Sequence, residues 1–120
     1  MSNYNYDIKV DKDSSKYGYI KGKIGNFAWF ALVHRDEVEH GINPEDLTKG
    51  LGRITRLCLY RDQTDFLGNP YMPSLNVKRY IYANYHRDWS VLNKNYYSMV
   101  KELITYLERR YSFKLVKWRS

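Results

Sequence analysis

The sequence predicts an α+β fold, an antiparallel sheet of about five strands in mostly meander order with one long C-terminal helix packed on one face. Strand-like segments follow one another through residues 4–86, and the only long helical pattern comes after them. The chain also carries 13 tyrosines among its 120 residues, and tyrosine favours strands. With 43% hydrophobic residues, we expect one domain over residues 1–120 with a single modest core.

Alternation of apolar and polar residues, or a continuous apolar run, identifies the strands. The predicted strands are residues 4–10, 17–24, 27–34, 50–61 and 77–86. The third is apolar on both faces, which is typical of a strand covered on both sides. Residues 50–61 are rich in branched and apolar residues without proline, so we predict that they form the central strand.

Two connections carry signals of their own. Residues 43–50 start with Asn43 and Pro44, continue with acids and end on Gly50, which predicts one or two helical turns. Residues 62–76 contain Gly68 and two prolines, and predict a connection of about fifteen residues without periodicity, which is often functional or mobile.

The helix is predicted over residues 95–110. Apolar residues recur there at helical spacing, namely Tyr96, Met99, Val100, Leu103 and Leu107. After it, residues 113–118 alternate imperfectly and predict a short sixth strand or an extended cover. We divide the chain into a core at residues 17–108 and a basic, aromatic tail at residues 109–120.

Five short motifs in this order carry a resemblance to a known family. They are G-x-I at residues 22–24, an aromatic strand at 29–33, G-I at 41–42, G-R-I-x-x-L at 52–57 and Y-x-R-x-W at 85–89. The chain resembles a small family of uncharacterised domain proteins from phages, plasmids and genomes of Gram-positive bacteria. The resemblance covers residues 17–108 and implies an architecture and a mobile-element origin. By context, it suggests an accessory role like that of the anti-CRISPR proteins.

This chain departs from the family's pattern by adding residues 43–49, the segment 62–76 and the tail after Glu108.

No motif predicts catalysis, a cofactor or a metal. His-Arg-Asp occurs at residues 34–36 and 86–88, but the other parts of a kinase site are missing. The acids and histidines of residues 34–40 fit no helical zinc template. The single cysteine, Cys58, excludes an intramolecular disulfide and is expected to be a buried thiol in the central strand.

Strand phase predicts a partner surface on the sheet face opposite the helix. If Ile20, Trp29, Leu57 and Ile81 face the helix, the other face carries aromatic residues among cations, as stacking and phosphate contact require. Its predicted members are Tyr19, Lys21, Lys23, Phe30, Leu32, Arg56, Tyr60, Lys78, Tyr80 and Tyr82. Two alternatives stay open: Phe30 and Leu32 mark a protein interface or homodimer seam, or the face is ordinary exposed surface.

A second basic cluster lies in the tail. It comprises Arg109, Arg110, Lys114, Lys117 and Arg119. Such runs are most often solvated surface, but this is the most cationic part of the chain.

The net charge of +7 permits an anionic partner. Together with the resemblance, it predicts a non-enzymatic mobile-element protein, an inhibitor that occupies a nucleic acid or a nucleoprotein complex such as a host defence (CRISPR) effector. The alternative is a homo-oligomeric structural or assembly protein that uses the second sheet face. No apolar run approaches the ~18 residues of a membrane span, so we expect no membrane partner and a cytoplasmic location.

Overall fold

The computed structural model describes residues 6–11, 19–67 and 74–119, and the side chains of residues 6–11, 19–64 and 77–109. Its strands are β1 Ile8–Val10, β2 Tyr19–Ile24, β3 Phe27–Ile42, β4 Lys49–Leu67, β5 Ser74–His86 and β6 Trp89–Leu92. A single 3-10 turn, Lys94–Tyr96, leads into helix α1, Tyr97–Arg119. The predicted strand residues 4–5 and 17–18 lie outside the described part of the chain.

The strands form one antiparallel sheet in sequence order, β1 to β6, which is a meander. The sheet is curled into a half-barrel with the helix on one side. The predicted α+β meander is therefore confirmed, with six strands instead of about five. The additional strand is β6, which follows β5 after the two residues Arg87 and Asp88.

The core lies between α1 and the sheet face that we call the helix face. Its largest sheet residues are Trp29 and Tyr85, and both are fully buried. The helix contributes Met99, Val100, Leu103, Ile104 and Leu107, all buried. The prediction that the apolar stripe of the helix packs on the sheet is confirmed.

The predicted connection at residues 62–76 is wrong, because β4 and β5 pair as far as Leu67 opposite Ser74. Only residues 68–73 lie between the two strands, and they are outside the described residues. The segment has few residues that favour strands, but side-chain pairs across the two strands stabilise the sheet there. Arg79, for example, donates to both carboxylate oxygens of Asp62, at 2.8 and 3.0 Å. Beyond Tyr60 the described pairing is with β5 alone, and residues 61–67 and 74–80 are called the β4–β5 arm.

The predicted helical turns at residues 43–50 are replaced by a tight turn between β3 and β4. The Leu47 N–H donates to the Asn43 carbonyl at 2.8 Å, and the Asn43 side chain accepts the Glu45 N–H at 2.9 Å. Leu47 then takes a φ of 63°, in the left-handed region, which reverses the chain. The residues that suggested a helix start therefore close an α-turn, because Asn side chains cap turns as well as helices.

Tyr85 and Trp89 hold this turn against the core. The Tyr85 hydroxyl donates to the carbonyl oxygens of His40 and Gly41, which lie 2.7 and 2.8 Å away. The Trp89 indole N–H donates to the Leu47 carbonyl at 2.6 Å. The Y-x-R-x-W motif thus supplies structural contacts, with the two rings 5.0 Å apart in an edge-to-face pair.

Helix α1 continues to Arg119, so the predicted strand or extended cover at residues 113–118 is wrong. Residues 97–119 contain neither proline nor glycine, so nothing in the sequence stops the helix at residue 110. Where the chain is described, no helix combines the length and apolar character needed to cross a membrane.

Candidate functional site

The outer face is the sheet face opposite the helix, and its centre consists of three rows that run across the strands. Directly paired residues of neighbouring antiparallel strands share a face and lie side by side. The first row is Tyr19, Leu32, Arg56 and His86; the second is Lys21, Phe30, Cys58 and Asn84; the third is Lys23, Ala28, Tyr60 and Ile81. The predicted outer positions on β2, β3 and β4 are therefore brought together as expected.

Aromatic rings form a continuous strip through these rows. The Phe30 ring lies 6.5 Å from that of Tyr19 and 5.9 Å from that of Tyr60. The Arg56 guanidinium sits 5.0 Å from the Phe30 ring centre, and the Arg79 guanidinium 4.0 Å from that of Tyr60. Both distances are typical of cation–π contacts. The strip thus combines an exposed Tyr19 ring with a partly exposed Tyr60 ring and with guanidinium planes.

Arg56 is held in place from below. Its Nη1 donates to Asn84 Oδ1 at 2.6 Å and to the Tyr85 carbonyl at 3.1 Å. The amide of Asn84 in turn donates to Ser90 Oγ at 2.7 Å. These contacts fix the orientation of the Arg56 guanidinium.

The charge of the rows is positive. Lys21 and Lys23 are exposed on β2, at one side of the aromatic strip. On the other side, the Arg79–Asp62 pair continues the rows along β4 and β5. Hydrogen bonding to Arg79 lowers the pKa of Asp62 from its ordinary value, so this carboxylate stays ionised. Asp62 is the one acid among the residues of the three rows and the Arg79–Asp62 pair.

Three predicted members, Lys78, Tyr80 and Tyr82, are not on the outer face. The register shifts by one residue between Leu59, opposite Ala83, and Tyr60, opposite Ile81. A one-residue shift moves every side chain beyond it to the other face. Ile81 was expected to face the helix, but it lies on the outer face and is 45% exposed.

Ring contacts confirm the change of face. Tyr82 packs on the helix face, with its ring 4.6 Å from that of Tyr96. Tyr80 pairs with Arg61, whose guanidinium lies 6.0 Å from the ring of Phe27, a residue packed against the core.

Two other predicted sets of residues, the interface pair and the basic tail, add less to the exposed outer face than expected. Phe30 and Leu32 are only partly exposed, since the neighbouring rings and Arg56 cover Phe30. Arg109 is exposed on α1, on the opposite side of the sheet from the rows. The side chains of Arg110, Lys114 and Lys117 lie outside the described residues.

A groove beside the first row was not predicted. It has a volume of about 330 Å³ and is bounded by Tyr19, Leu32, Val38, Arg56 and Arg87 among others. The β3–β4 pairing shifts register between Leu32 and Val38, beside the groove, and no residue pattern in the sequence indicates these shifts. At its wall, His34 Nε2 and Thr55 Oγ1 form a hydrogen bond of 2.6 Å.

The cysteine and the histidines and acids of residues 34–40, singled out in the sequence, lie on strands β3 and β4. Cys58 is 2% exposed, as predicted for a buried thiol, and burial raises the pKa of the thiol. The acids and histidines of residues 34–40 belong to strand β3, and no group of three metal-ligating side chains is found among the described residues.

Comparison with protein-family models, with curated proteins and with solved structures finds no match to this chain.

Proposed function

We propose that this chain is a non-enzymatic binding protein whose outer face holds a single strand of nucleic acid, free or within a nucleoprotein complex. The observation that supports this most is the aromatic strip from Tyr19 to Tyr60, with Lys21 and Lys23 beside it and Arg56 and Arg79 on its rings. Bases stack on rings and on guanidinium planes, while lysines contact the phosphates.

The positions of the charges suit a strand better than a duplex. Lys21 and Lys23 lie on one strand, two residues apart, and point to the same side, so their side chains follow one line beside the strip. A strand whose bases lie on the strip would bring successive phosphates past this line. Among the described residues, the outer face at the aromatic strip is formed by sheet strands and carries no helix.

The resemblance to mobile-element proteins gives this proposal its sharpest form. An accessory protein of that origin that covers a nucleic-acid strand or its binding channel would inhibit a host defence effector, such as a CRISPR complex, without catalysing a reaction. The positive outer face supports the nucleic-acid part of this version, and the effector is predicted from the resemblance.

Fluorescence anisotropy with a labelled single-stranded DNA or RNA oligonucleotide at low salt tests the proposal. Tyr19→Ala should weaken binding by about 1–3 kcal/mol, because a stacking platform is lost. Tyr80→Ala is the matched control, since Tyr80 is 44% exposed against 38% for Tyr19 but lies on the other face. Absence of binding by the wild-type chain, or equal losses in both variants, would refute the nucleic-acid proposal.

Self-association is the second candidate, and exposed apolar residues near the β4–β5 arm favour it. Val77 is 58% exposed and Ile81 45%. A two-stranded ribbon is marginal in water without a packed face, so a second copy would stabilise it. Light scattering distinguishes the two: a dimer that Val77→Lys with Ile81→Lys converts to monomer would support self-association, and a wild-type monomer at all concentrations would exclude it.

A further inference from the structure

The groove beside the first row combines an apolar wall with a cationic one. Tyr19, Leu32 and Val38 supply the apolar side, and Arg56, His86 and Arg87 supply hydrogen-bond donors on the other. Its volume of about 330 Å³ is at the lower end of the range of small-ligand sites, about 300–1,000 Å³. A ligand of that size with one flat apolar part and one anionic part fits such a lining.

The apolar wall offers a surface for stacking. Tyr19 is 38% exposed, and Leu32 lies directly opposite it on the neighbouring strand. The ring of Tyr19 is itself packed at 6.5 Å against Phe30, which limits its motion. A heterocyclic base laid on this ring would continue the strip of rings that runs across the outer face.

The cationic wall contains two guanidinium groups, one from the middle of β4 and one from the turn between β5 and β6. Arg56 is oriented by Asn84 and by the Tyr85 carbonyl, as described above. Arg87 lies in the turn between β5 and β6 with a φ of 64°, and its N–H donates to the Thr55 carbonyl at 3.0 Å. Guanidinium groups bind phosphate with two parallel hydrogen bonds, which a lysine cannot do.

One acid also borders the groove. The Glu39 carboxylate offers hydrogen-bond acceptors and a negative charge, so it opposes a second phosphate but suits a base amino group or a sugar hydroxyl. His34 and Thr55, joined by a hydrogen bond of 2.6 Å, also line the groove. The lining therefore fits a single phosphate with its sugar and base better than a polyphosphate.

We propose that the groove is a subsite for one nucleotide, with the base on Tyr19 and the phosphate between Arg56 and Arg87. The proposal depends on the proposed function, because it makes the groove the place where the bound strand begins or ends. The same chemistry is shared by a terminal nucleotide of a strand and by a free mononucleotide, so the test includes both.

Isothermal titration of the full chain with adenosine 5′-monophosphate, adenosine and inorganic phosphate tests the subsite directly. The monophosphate should bind at least tenfold more tightly than adenosine or phosphate alone, because only it engages both walls. Arg87→Asn should weaken the monophosphate about tenfold or more, the loss expected for a hydrogen bond to a charged group. Asparagine tolerates the left-handed φ, so the turn is preserved. Arg61→Asn, on the exposed β4–β5 arm, is the matched control and should change nothing.

An oligonucleotide with a terminal phosphate separates this proposal from the proposed function. If Arg87→Asn lowers its affinity only when the terminal phosphate is present, the subsite is supported for a strand end. A response to the mononucleotide alone supports a free nucleotide as the ligand. If the three small probes bind equally, or Arg87→Asn changes none of them, the subsite is refuted. Oligonucleotide binding that still depends on Tyr19 would leave the proposed function intact in that case.

Discussion

Gly22 allows strand β1 to pack closely against β2 at the edge of the sheet. It lies in β2, and a Cβ added there would be 1.9 Å from the backbone oxygen of Lys9 on β1 and 2.9 Å from Cζ2 of Trp29. Any side chain would therefore push β1 away from the sheet or displace a fully buried tryptophan. The G-x-I motif at residues 22–24 thus has a steric explanation.

Gly22→Ala should lower the free energy of unfolding by about 1–3 kcal/mol, the usual cost of overpacking a core. Urea denaturation followed by tryptophan fluorescence measures it. Gly50→Ala is the control, since an added Cβ there meets nothing within 4 Å. A loss of stability for Gly50→Ala as large as that for Gly22→Ala would show that strand propensity, and not the contact with Lys9, explains the effect.

Helix α1 is the element on which the core depends. Leu103 and Leu107 are fully buried one turn apart against the sheet. Near the same turn, the Arg53 N–H of β4 donates to Glu108 Oε1 at 3.1 Å, and burial raises the pKa of that carboxyl. The helix is thus fixed to the sheet by apolar packing and by a polar contact at the end of the described side chains.

Leu103→Ala should cost about 2–5 kcal/mol, from the lost transfer free energy and the cavity that remains. Thermal or chemical unfolding of the variant checks this value. Lys101→Ala, at an exposed position of the same helix, should change stability by less than about 0.5 kcal/mol. If Leu103→Ala cost no more than Lys101→Ala, the packing of α1 on the sheet would be contradicted.

The regular alternation of side chains along a strand explains why part of the outer face could be predicted from the sequence. Alternation along β2, β3 and β4 placed Lys21, Phe30 and Arg56 on one face, because a regular strand keeps its phase. The same rule failed for Tyr80, since the register shift opposite Tyr60 reverses the phase of β5 without any glycine or proline to announce it.

The remaining errors arise where pairing overrides local preference. The segment of β4 after Tyr60 is polar, and it is a strand because β5 supplies its hydrogen bonds. Strand β6 was missed because a strand of four residues is too short to show a period. The groove was missed for a related reason: its walls meet only through irregular register between β3 and β4.

The two faces of the sheet differ in burial and in charge. The helix face buries the core, whereas the outer face carries an aromatic strip and cations that are exposed or partly exposed. A chain with a net charge of +7 attracts many polyanions, so binding alone would not locate the site. To locate the site, two variants of equal total charge are compared. One loses charges from the outer face, and the other loses the same number of charges from a different surface.

The salt dependence of oligonucleotide affinity is the most direct test of this account. Each phosphate neutralised on a single strand contributes a slope of about −0.7 to the logarithm of affinity against the logarithm of salt concentration. Lys21→Gln with Lys23→Gln should flatten the slope by about one or more. Lys94→Gln with Lys101→Gln removes the same charge from exposed positions beyond the outer face and should leave the slope nearly unchanged. Equal flattening by both double variants, or none by the first, would contradict the outer face as the nucleic-acid site.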